Sequence, residues 1–136
     1  MIKTIIVLDT NIFISAVFWE GKPYNVVKKA INQEIIVFIS NYIIDEIRKV
    51  LVRDFNLEKQ EIEDIVNAVL YFTHLIEPKE SVTVIKDDPK DDTLILKKIE
   101  VPKANEVFEK VHKWGTKLAK KKGWKEEDFI KKINKP

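Results

Sequence analysis

Acidic side chains at three separate places in this chain have the chemistry to bind a hard divalent cation. Asp9 and Asn11 come directly after the apolar run at residues 5–8. Glu46 lies early in a predicted helix, and Asp91 lies in an acidic loop. Carboxylates bind Mg²⁺ or Mn²⁺ and leave coordination positions open for a phosphate and a water. Metal-assisted cleavage of a phosphodiester bond needs such a set of ligands.

Two predicted strands would bring the first two acids together. The continuous apolar runs at residues 5–8 and 35–39 are typical of parallel strands that are buried on both faces. Ser40 follows the second run and is expected to cap a helix that carries Glu46 in its early turns. Ligand sites of open α/β sheets lie beyond the carboxyl ends of the strands. We therefore expect Asp9 and Glu46 to lie at one edge of the sheet.

The rest of the pattern completes an α/β domain. Apolar residues at helical spacing predict a short helix that stops at residues 20–23, and further helices at 24–31, 42–51 and 57–75. Residues 82–85 predict a third strand, after which Asp91 or Asp92 begins another helix. The body is therefore expected to hold a parallel sheet of at least three strands covered by helices.

The last third of the chain has a different pattern. Val101-Pro102 is expected to interrupt regular structure, a Lys-rich amphipathic helix is predicted at residues 104–121, and Gly123 is expected to end it before a final short helix. No buried strand is predicted there. We therefore divide the chain into an α/β domain at residues 1–98 and a basic helical tail at residues 99–136.

Composition argues against several classes of protein. Apolar residues make up 45% and charged residues 34% of the 136 residues, which is ordinary for a soluble globular domain. The sequence has no cysteine and no apolar run of membrane length, so no disulfide framework, thiolate zinc site or membrane partner is expected. Because residues 1–3 lead straight into the first strand, no signal peptide is expected, and we predict a cytoplasmic location.

The formal net charge of +2 hides an uneven distribution. Residues 1–96 carry 11 basic and 16 acidic side chains, a net charge of −5, whereas residues 97–136 carry 13 and 6, a net charge of +7. The basic segment is open to three interpretations: it binds nucleic acid, it folds onto the acidic body, or it is a solvated helical face.

Each acidic motif also has a purely structural explanation. Asp9 or Thr10, taken alone, is better explained as a helix cap, and Glu46 as a solvated residue near a helix N-terminus. For Asp92, a capping role and a place in the site are equally good interpretations. Because the three motifs occur together, a functional site is the favoured interpretation.

Three segments resemble the motifs of PIN-domain ribonucleases, in the branch regarded as toxins of toxin-antitoxin systems. They are IVLDTNIFISA at residues 6–16, SNYIIDEI at residues 40–47 and DDPKDD at residues 87–92. The order and spacing of the motifs agree with that family over residues 1 to about 96. The resemblance implies a PIN-like parallel sheet flanked by helices, and cleavage of RNA with Mg²⁺ or Mn²⁺.

The resemblance also assigns roles to individual residues and implies partners. It makes three acids catalytic and metal-binding, namely Asp9, Glu46 and Asp91. Supporting residues would be Asn11, Asp92 and Ser15. It further implies an RNA substrate, a cognate antitoxin and a homodimer or higher assembly, which an exposed edge of the third strand would favour.

The tail departs from the family pattern. PIN-domain ribonucleases continue after the third motif with another strand, an acidic loop and a last strand, and this sequence shows none of these there. The sheet is therefore expected to be incomplete at its C-terminal side. The tail instead resembles the helical part of small antitoxins, in the stretch WGTKLAKKKG and in the phrase KEED. Its lysines would then face the acids of the crevice in its own chain or in a neighbouring one.

Two alternative functions follow from that departure. The first is a catalytically incomplete PIN-like module that acts in protein association, through toxin-antitoxin fusion or dimerisation. The second is a nucleic-acid-binding protein that uses the basic tail.

Overall fold

The computed structural model describes residues 3–76 and 97–133. These residues form three strands, β1 (Thr4–Val7), β2 (Ile35–Ile39) and β3 (His74–Leu75). They also form six helices, α1 (Thr10–Phe18), α2 (Lys22–Ile31), α3 (Asn41–Arg53), α4 (Lys59–Phe72), α5 (Val101–Lys122) and α6 (Glu126–Ile133). The predicted strand at residues 82–85 and the third acidic motif, with Asp91 and Asp92, lie outside the described residues.

The sheet is parallel and has the order β1-β2-β3. Helices α1 and α2 connect β1 to β2, and helices α3 and α4 connect β2 to β3. The predicted α/β fold with a parallel sheet flanked by helices is therefore confirmed. In the described part of the chain, no helix is both long enough and apolar enough to cross a membrane.

The prediction that the first strand is buried on both faces is wrong. Val7 is 68% exposed and Ile5 is 50% exposed, whereas Ile6 between them packs against the core. In the parallel register, Ile6 lies beside the fully buried Val37 of β2. Strand β1 is an edge strand of the described sheet. Val7 lies beside Phe38 in the register, and among the described residues Phe38 is buried whereas Val7 is exposed.

The predicted helix at residues 57–75 is shorter in the structure, and a strand replaces its last turn. Helix α4 ends at Phe72, and Thr73 has an extended backbone with φ −113° and ψ 162°. The Thr73 hydroxyl donates a hydrogen bond at 2.9 Å to the Val69 carbonyl, the carbonyl that the backbone N–H of Thr73 would reach in a continuing helix. Strand β3 then pairs with β2, so the sheet supplies the backbone hydrogen bonds that the helix loses.

The long tail helix starts earlier than predicted. Val101 and Pro102 lie in the first turn of α5 and do not interrupt it. Proline fits there because the first backbone N–H groups of a helix have no partner within the helix. The predicted end is confirmed: Gly123 has φ 72°, the left-handed conformation that glycine adopts without strain, and its N–H donates to Ala119 and Lys120 carbonyls.

The tail helices share the hydrophobic core of the sheet and its helices. Helix α5 packs against α1, α2 and α4, and helix α6 packs against α1. Their buried apolar residues belong to the same cluster as the buried residues of α1, and they include Ala104, Phe108, Ala119 and Phe129. The basic tail is thus packed onto the body. The division of the chain at residue 98 stays a prediction.

Helices α1 and α5 approach each other closely at Gly115. A Cβ atom added to Gly115 would lie 2.5 Å from the Val17 carbonyl oxygen and 2.9 Å from Val17 Cγ1. One turn earlier on α5, His112 Nδ1 lies 2.8 Å from the Ala16 carbonyl oxygen. Only glycine lets the two backbones come this near.

Gly115→Ala is expected to lower the free energy of unfolding by about 1–3 kcal/mol, because the new methyl group collides with backbone atoms of α1 that cannot move aside. Urea denaturation would measure the change. Lys117→Ala, an exposed substitution on the same helix, is the control and is expected to have little effect. Equal stability of the glycine and alanine proteins would show that α5 does not pack on α1 in this way.

A polar network also joins α2 to α5. The Tyr24 hydroxyl donates to Glu109 Oε2 at 2.6 Å, and Lys28 Nζ donates to the same oxygen at 2.9 Å. Burial and the hydrogen bond to Glu109 raise the pKa of Tyr24 to about 12. Burial by itself would raise the pKa of Glu109, but the hydrogen bonds from Tyr24 and Lys28 lower it more, so its pKa lies below the ordinary value.

The network is expected to make stability depend on acid pH. Because the pKa of Glu109 is lower in the folded than in the unfolded protein, its contribution is present near pH 7 and is lost as the pH falls below about 4.5. The difference in free energy of unfolding between the wild type and Glu109→Gln should therefore shrink between about pH 6 and pH 3. Chemical denaturation over that range, with Glu106→Gln as an exposed control on the same helix, measures it. A difference that does not change with pH would contradict the assigned network.

Candidate functional site

The first candidate acid lies where β1 leads into α1. Asp9 is the N-cap residue of α1, with φ −69° and ψ 153°, and its carbonyl oxygen accepts the first hydrogen bond, from Ile12 N–H at 3.0 Å. Its carboxylate makes no capping hydrogen bond. The capping interpretation of this side chain therefore does not hold, and the carboxylate is exposed at the surface.

The second candidate acid is placed by α3, which begins directly after β2. Ser40 caps this helix as predicted, since its hydroxyl oxygen accepts a hydrogen bond from Ile43 N–H at 3.3 Å. Glu46 lies in the second turn, and Lys49 Nζ is 3.8 Å from Glu46 Oε1. The neighbouring Asp45 points elsewhere, to an exposed ion pair with Arg48 at 3.4 Å.

The two acids line one open cleft. Strands β1 and β2 are parallel neighbours, so the helices that follow them begin at the same edge of the sheet. The cleft has a volume of about 720 Å³. It is lined by Asp9, Thr10, Asn11, Tyr42, Ile43, Glu46, Val50, Arg53, Asp54 and Lys132. The structure thus brings Asp9, Asn11 and Glu46 together, and their roles stay predictions.

The other predicted site residues are not at this cleft or are not described. Ser15 is 3% exposed on α1 and is not among the residues that line the cleft. Its backbone carbonyl accepts a hydrogen bond from Trp19 N–H at 3.0 Å. Asp91 and Asp92 lie outside the described residues, so their position relative to the cleft stays a prediction.

Sequence reasoning missed four polar or charged residues that line the cleft, namely Tyr42, Arg53, Asp54 and Lys132. Arg53 follows Glu46 by seven residues on α3, and this spacing places both on one helical face. Helical periodicity was therefore a signal that could have found Arg53. Lys132 is on α6, far along the chain, and no local pattern connects it with the strand ends.

Three of these residues form an ion cluster. Arg53 donates two hydrogen bonds to the Asp54 carboxylate, from Nε at 3.1 Å and from Nη2 at 3.2 Å. Lys132 Nζ lies 3.7 Å from Asp54 Oδ1. The hydrogen bond to Asp54 raises the pKa of Arg53 above its ordinary value. Among the described residues, the cleft therefore holds the exposed carboxylate of Asp9, the Glu46 carboxylate beside Lys49, and two cations that share the Asp54 carboxylate.

Comparison with known families identifies the fold. The family model described as the PIN domain matches residues 5–97, which is more than half of the chain. The chain belongs to the PIN-domain family. PIN domains are generally metal-dependent nucleases, and the matched region of this PIN domain contains Asp9, Glu46 and Asp91. It ends before α5 begins. No curated protein and no solved structure matches the sequence.

The cleft of this PIN domain has donors that suit a hard divalent ion. Within residues 3–76 and 97–133, no three His, Cys, Asp or Glu side chains come together as a metal-binding group. Asp9 and Glu46 nevertheless offer two carboxylates to one solvent-filled space. Mg²⁺ is usually held by one or two carboxylates and keeps several waters. The described residues therefore fit a loosely held, largely hydrated ion.

Proposed function

We propose that this PIN domain is a ribonuclease that hydrolyses RNA phosphodiester bonds with Mg²⁺ or Mn²⁺. The observation that carries the proposal is that Asp9 and Glu46, which come from different βα units, line one open cleft. Membership of a family of nucleases supports it. An open cleft on the surface also suits a long polymer better than an enclosed pocket would.

The residues of the cleft divide the work as follows. A bound divalent ion would supply an acidified water and would neutralise negative charge on the phosphate. Asp9 and Glu46 would hold this ion through their carboxylates, with Asp91 as a third ligand. Asn11 would donate a hydrogen bond that orients Asp9 or the attacking water. Asp92 is proposed as a further supporting residue, whereas Ser15, which is buried on α1 and does not line the cleft, is given no role.

Asp9→Asn and Glu46→Gln are each expected to reduce cleavage of single-stranded RNA by about 100-fold or more, because each removes a charged oxygen ligand of the ion. The measurement is RNA cleavage over a range of Mg²⁺ and Mn²⁺ concentrations. Asp45→Asn is the matched control, since Asp45 adjoins Glu46 on α3 but forms an exposed ion pair away from the cleft. It is expected to leave cleavage unchanged.

Three outcomes would reject the nuclease. Cleavage that survives both EDTA and Asp9→Asn would come from a contaminant or from a different site. No cleavage at any metal concentration would favour the catalytically incomplete module that acts in protein association. RNA binding that falls steeply with salt, with no cleavage, would favour the nucleic-acid-binding alternative.

We further propose that the enzyme is the toxin of a toxin-antitoxin system and acts in the cytoplasm. The likeness of its three motifs to that branch of the family supports this role. Its inhibitor would be a cognate antitoxin or its own antitoxin-like tail.

A homodimer or higher assembly is part of the same proposal. In the described sheet β1 has a strand neighbour on one side only, and Ile5 and Val7 expose apolar surface. Light scattering is expected to give at least twice the chain mass of 16.0 kDa. Val7→Lys should shift the assembly towards the monomer, because a buried unpaired charge at an interface is costly. A wild-type monomer at working concentration would reject the assembly.

A further inference from the structure

The tail delivers a cation to the cleft that holds the candidate acids. Helix α6 carries Lys132 in its last turn, and Lys132 lines the same cleft as Asp9 and Glu46. Arg53, at the end of α3, is a second basic residue that lines this cleft. The family match ends at residue 97, so Lys132 lies beyond the part of the chain that the family accounts for.

The position of α6 is fixed by aromatic packing. Phe129 is buried, and its ring centroid lies 5.8 Å from that of Trp19 and 5.4 Å from that of Phe55. Trp19 Nε1 donates a hydrogen bond to the Trp124 carbonyl at 3.2 Å, just before α6 begins. Lys132 follows Phe129 by three residues, which is the spacing of neighbours on one helical face. The aromatic packing therefore holds Lys132 near the end of α3.

Asp54 holds both cations with one negative charge. Its side chain is only 10% exposed, whereas those of Arg53 and Lys132 are 67% and 63% exposed. The Asp54 carboxylate is thus largely shielded from solvent by the protein, whereas the side chains of the two cations remain mostly exposed to solvent. The three residues together carry a net charge of +1, and an anion that enters the cleft can still contact both cations.

We propose that Arg53 and Lys132 form a phosphate-binding rim that holds the backbone of single-stranded RNA in the cleft, with Asp54 as the residue that positions them. The inference rests on the proposed function for the identity of the polymer. Lysine acts on phosphate as a point charge, and arginine adds directed hydrogen bonds. Two such cations beside carboxylates that bind a metal ion would hold neighbouring phosphates away from the acids. The tail then completes the substrate site of the domain.

The decisive comparison is between Lys132→Ala and Lys131→Ala. Both variants remove one exposed lysine from α6, but only Lys132 lines the cleft and meets Asp54. Binding of a fluorescent single-stranded RNA is measured against salt in an Asp9→Asn background. Each phosphate contact contributes about 0.7 to the slope of log affinity against log salt for single strands, so Lys132→Ala should reduce the slope by about 0.7. Lys131→Ala should leave it unchanged.

Kinetics separate a binding role from a structural one. In the chain with Asp9 intact, Lys132→Ala is expected to raise KM for RNA several-fold with little change in kcat, because the lysine holds substrate and does not touch the reacting bond. Asp54→Asn should also raise KM for RNA. Asp54→Glu, which keeps the negative charge, should give a KM between those of Asp54→Asn and the wild type. Thermal melting of each variant checks that the fold is intact.

The outcomes distinguish this rim from the nuclease proposal itself. If the wild type cleaves RNA and Lys132→Ala leaves KM and the salt slope unchanged, the rim is wrong and the nuclease stands. If Lys132→Ala and Lys131→Ala reduce the salt slope equally, the reduction reflects the overall positive charge of the protein, and the rim is wrong. A rise in cleavage in Lys132→Ala would show that the lysine obstructs the cleft and would also reject the rim. If the wild type does not cleave RNA, but Lys132→Ala reduces the salt slope of RNA binding and Lys131→Ala does not, the rim is supported and the nuclease is rejected.

Discussion

The burial of α1 is the constraint on which the position of Asp9 and the anchoring of the tail both depend. All six residues at positions 13–18 are buried, so α1 is covered on every side after its first turn, and helices α2, α3, α5 and α6 contact it. Its N-terminus places Asp9 at the edge of the sheet, and Trp19 at its C-terminus holds the tail. A helix buried all round has little freedom to rotate or shift, because any movement would open cavities in a close-packed core. The cleft and the anchoring of the tail are therefore fixed by one element.

The tail behaves as part of the domain. An amphipathic helix with many lysines would be marginal alone in water, because most helical stability in proteins comes from packing of the apolar face. Helix α5 gains that packing by placing Gly115 against the backbone of α1 and Phe108 in the core. Its lysines in the last turn then lie towards the negative end of the helix dipole, where cations are favourable. Of the three interpretations of the charge pattern, the structure shows the second: the basic segment folds onto the acidic body.

Sequence patterns predicted the elements whose signals are local. Strand β2 occurs at the predicted residues 35–39, Ser40 caps α3, and Gly123 ends α5, because a buried strand, a cap and a left-handed glycine each depend on a few neighbouring residues. The end of α4 could not be predicted in this way. Residues up to Leu75 keep a helical pattern, and pairing with β2, which is remote in sequence, decides the conformation after Phe72. Likewise, the exposure of β1 depends on what covers its second face, which an apolar run does not reveal.

In the candidate site, too, some residues were predictable from local sequence signals and others depend on contacts between distant segments. Asp9 and Glu46 follow strands that the sequence marks clearly, and parallel pairing of those strands brings them to one cleft. Lys132 reaches the cleft only because aromatic contacts of Trp19, Phe55 and Phe129 join three distant segments. A site for a metal ion and a polyanion needs charges of both signs, and these must be kept apart so that they do not neutralise each other. Asp54 meets this need, since it takes the cations in an ion cluster while Asp9 keeps its carboxylate exposed. Because these charges lie at an open surface, salt should weaken their attraction for a polyanion, so the change in salt dependence on removal of one cation reports whether a bound polyanion contacts that cation.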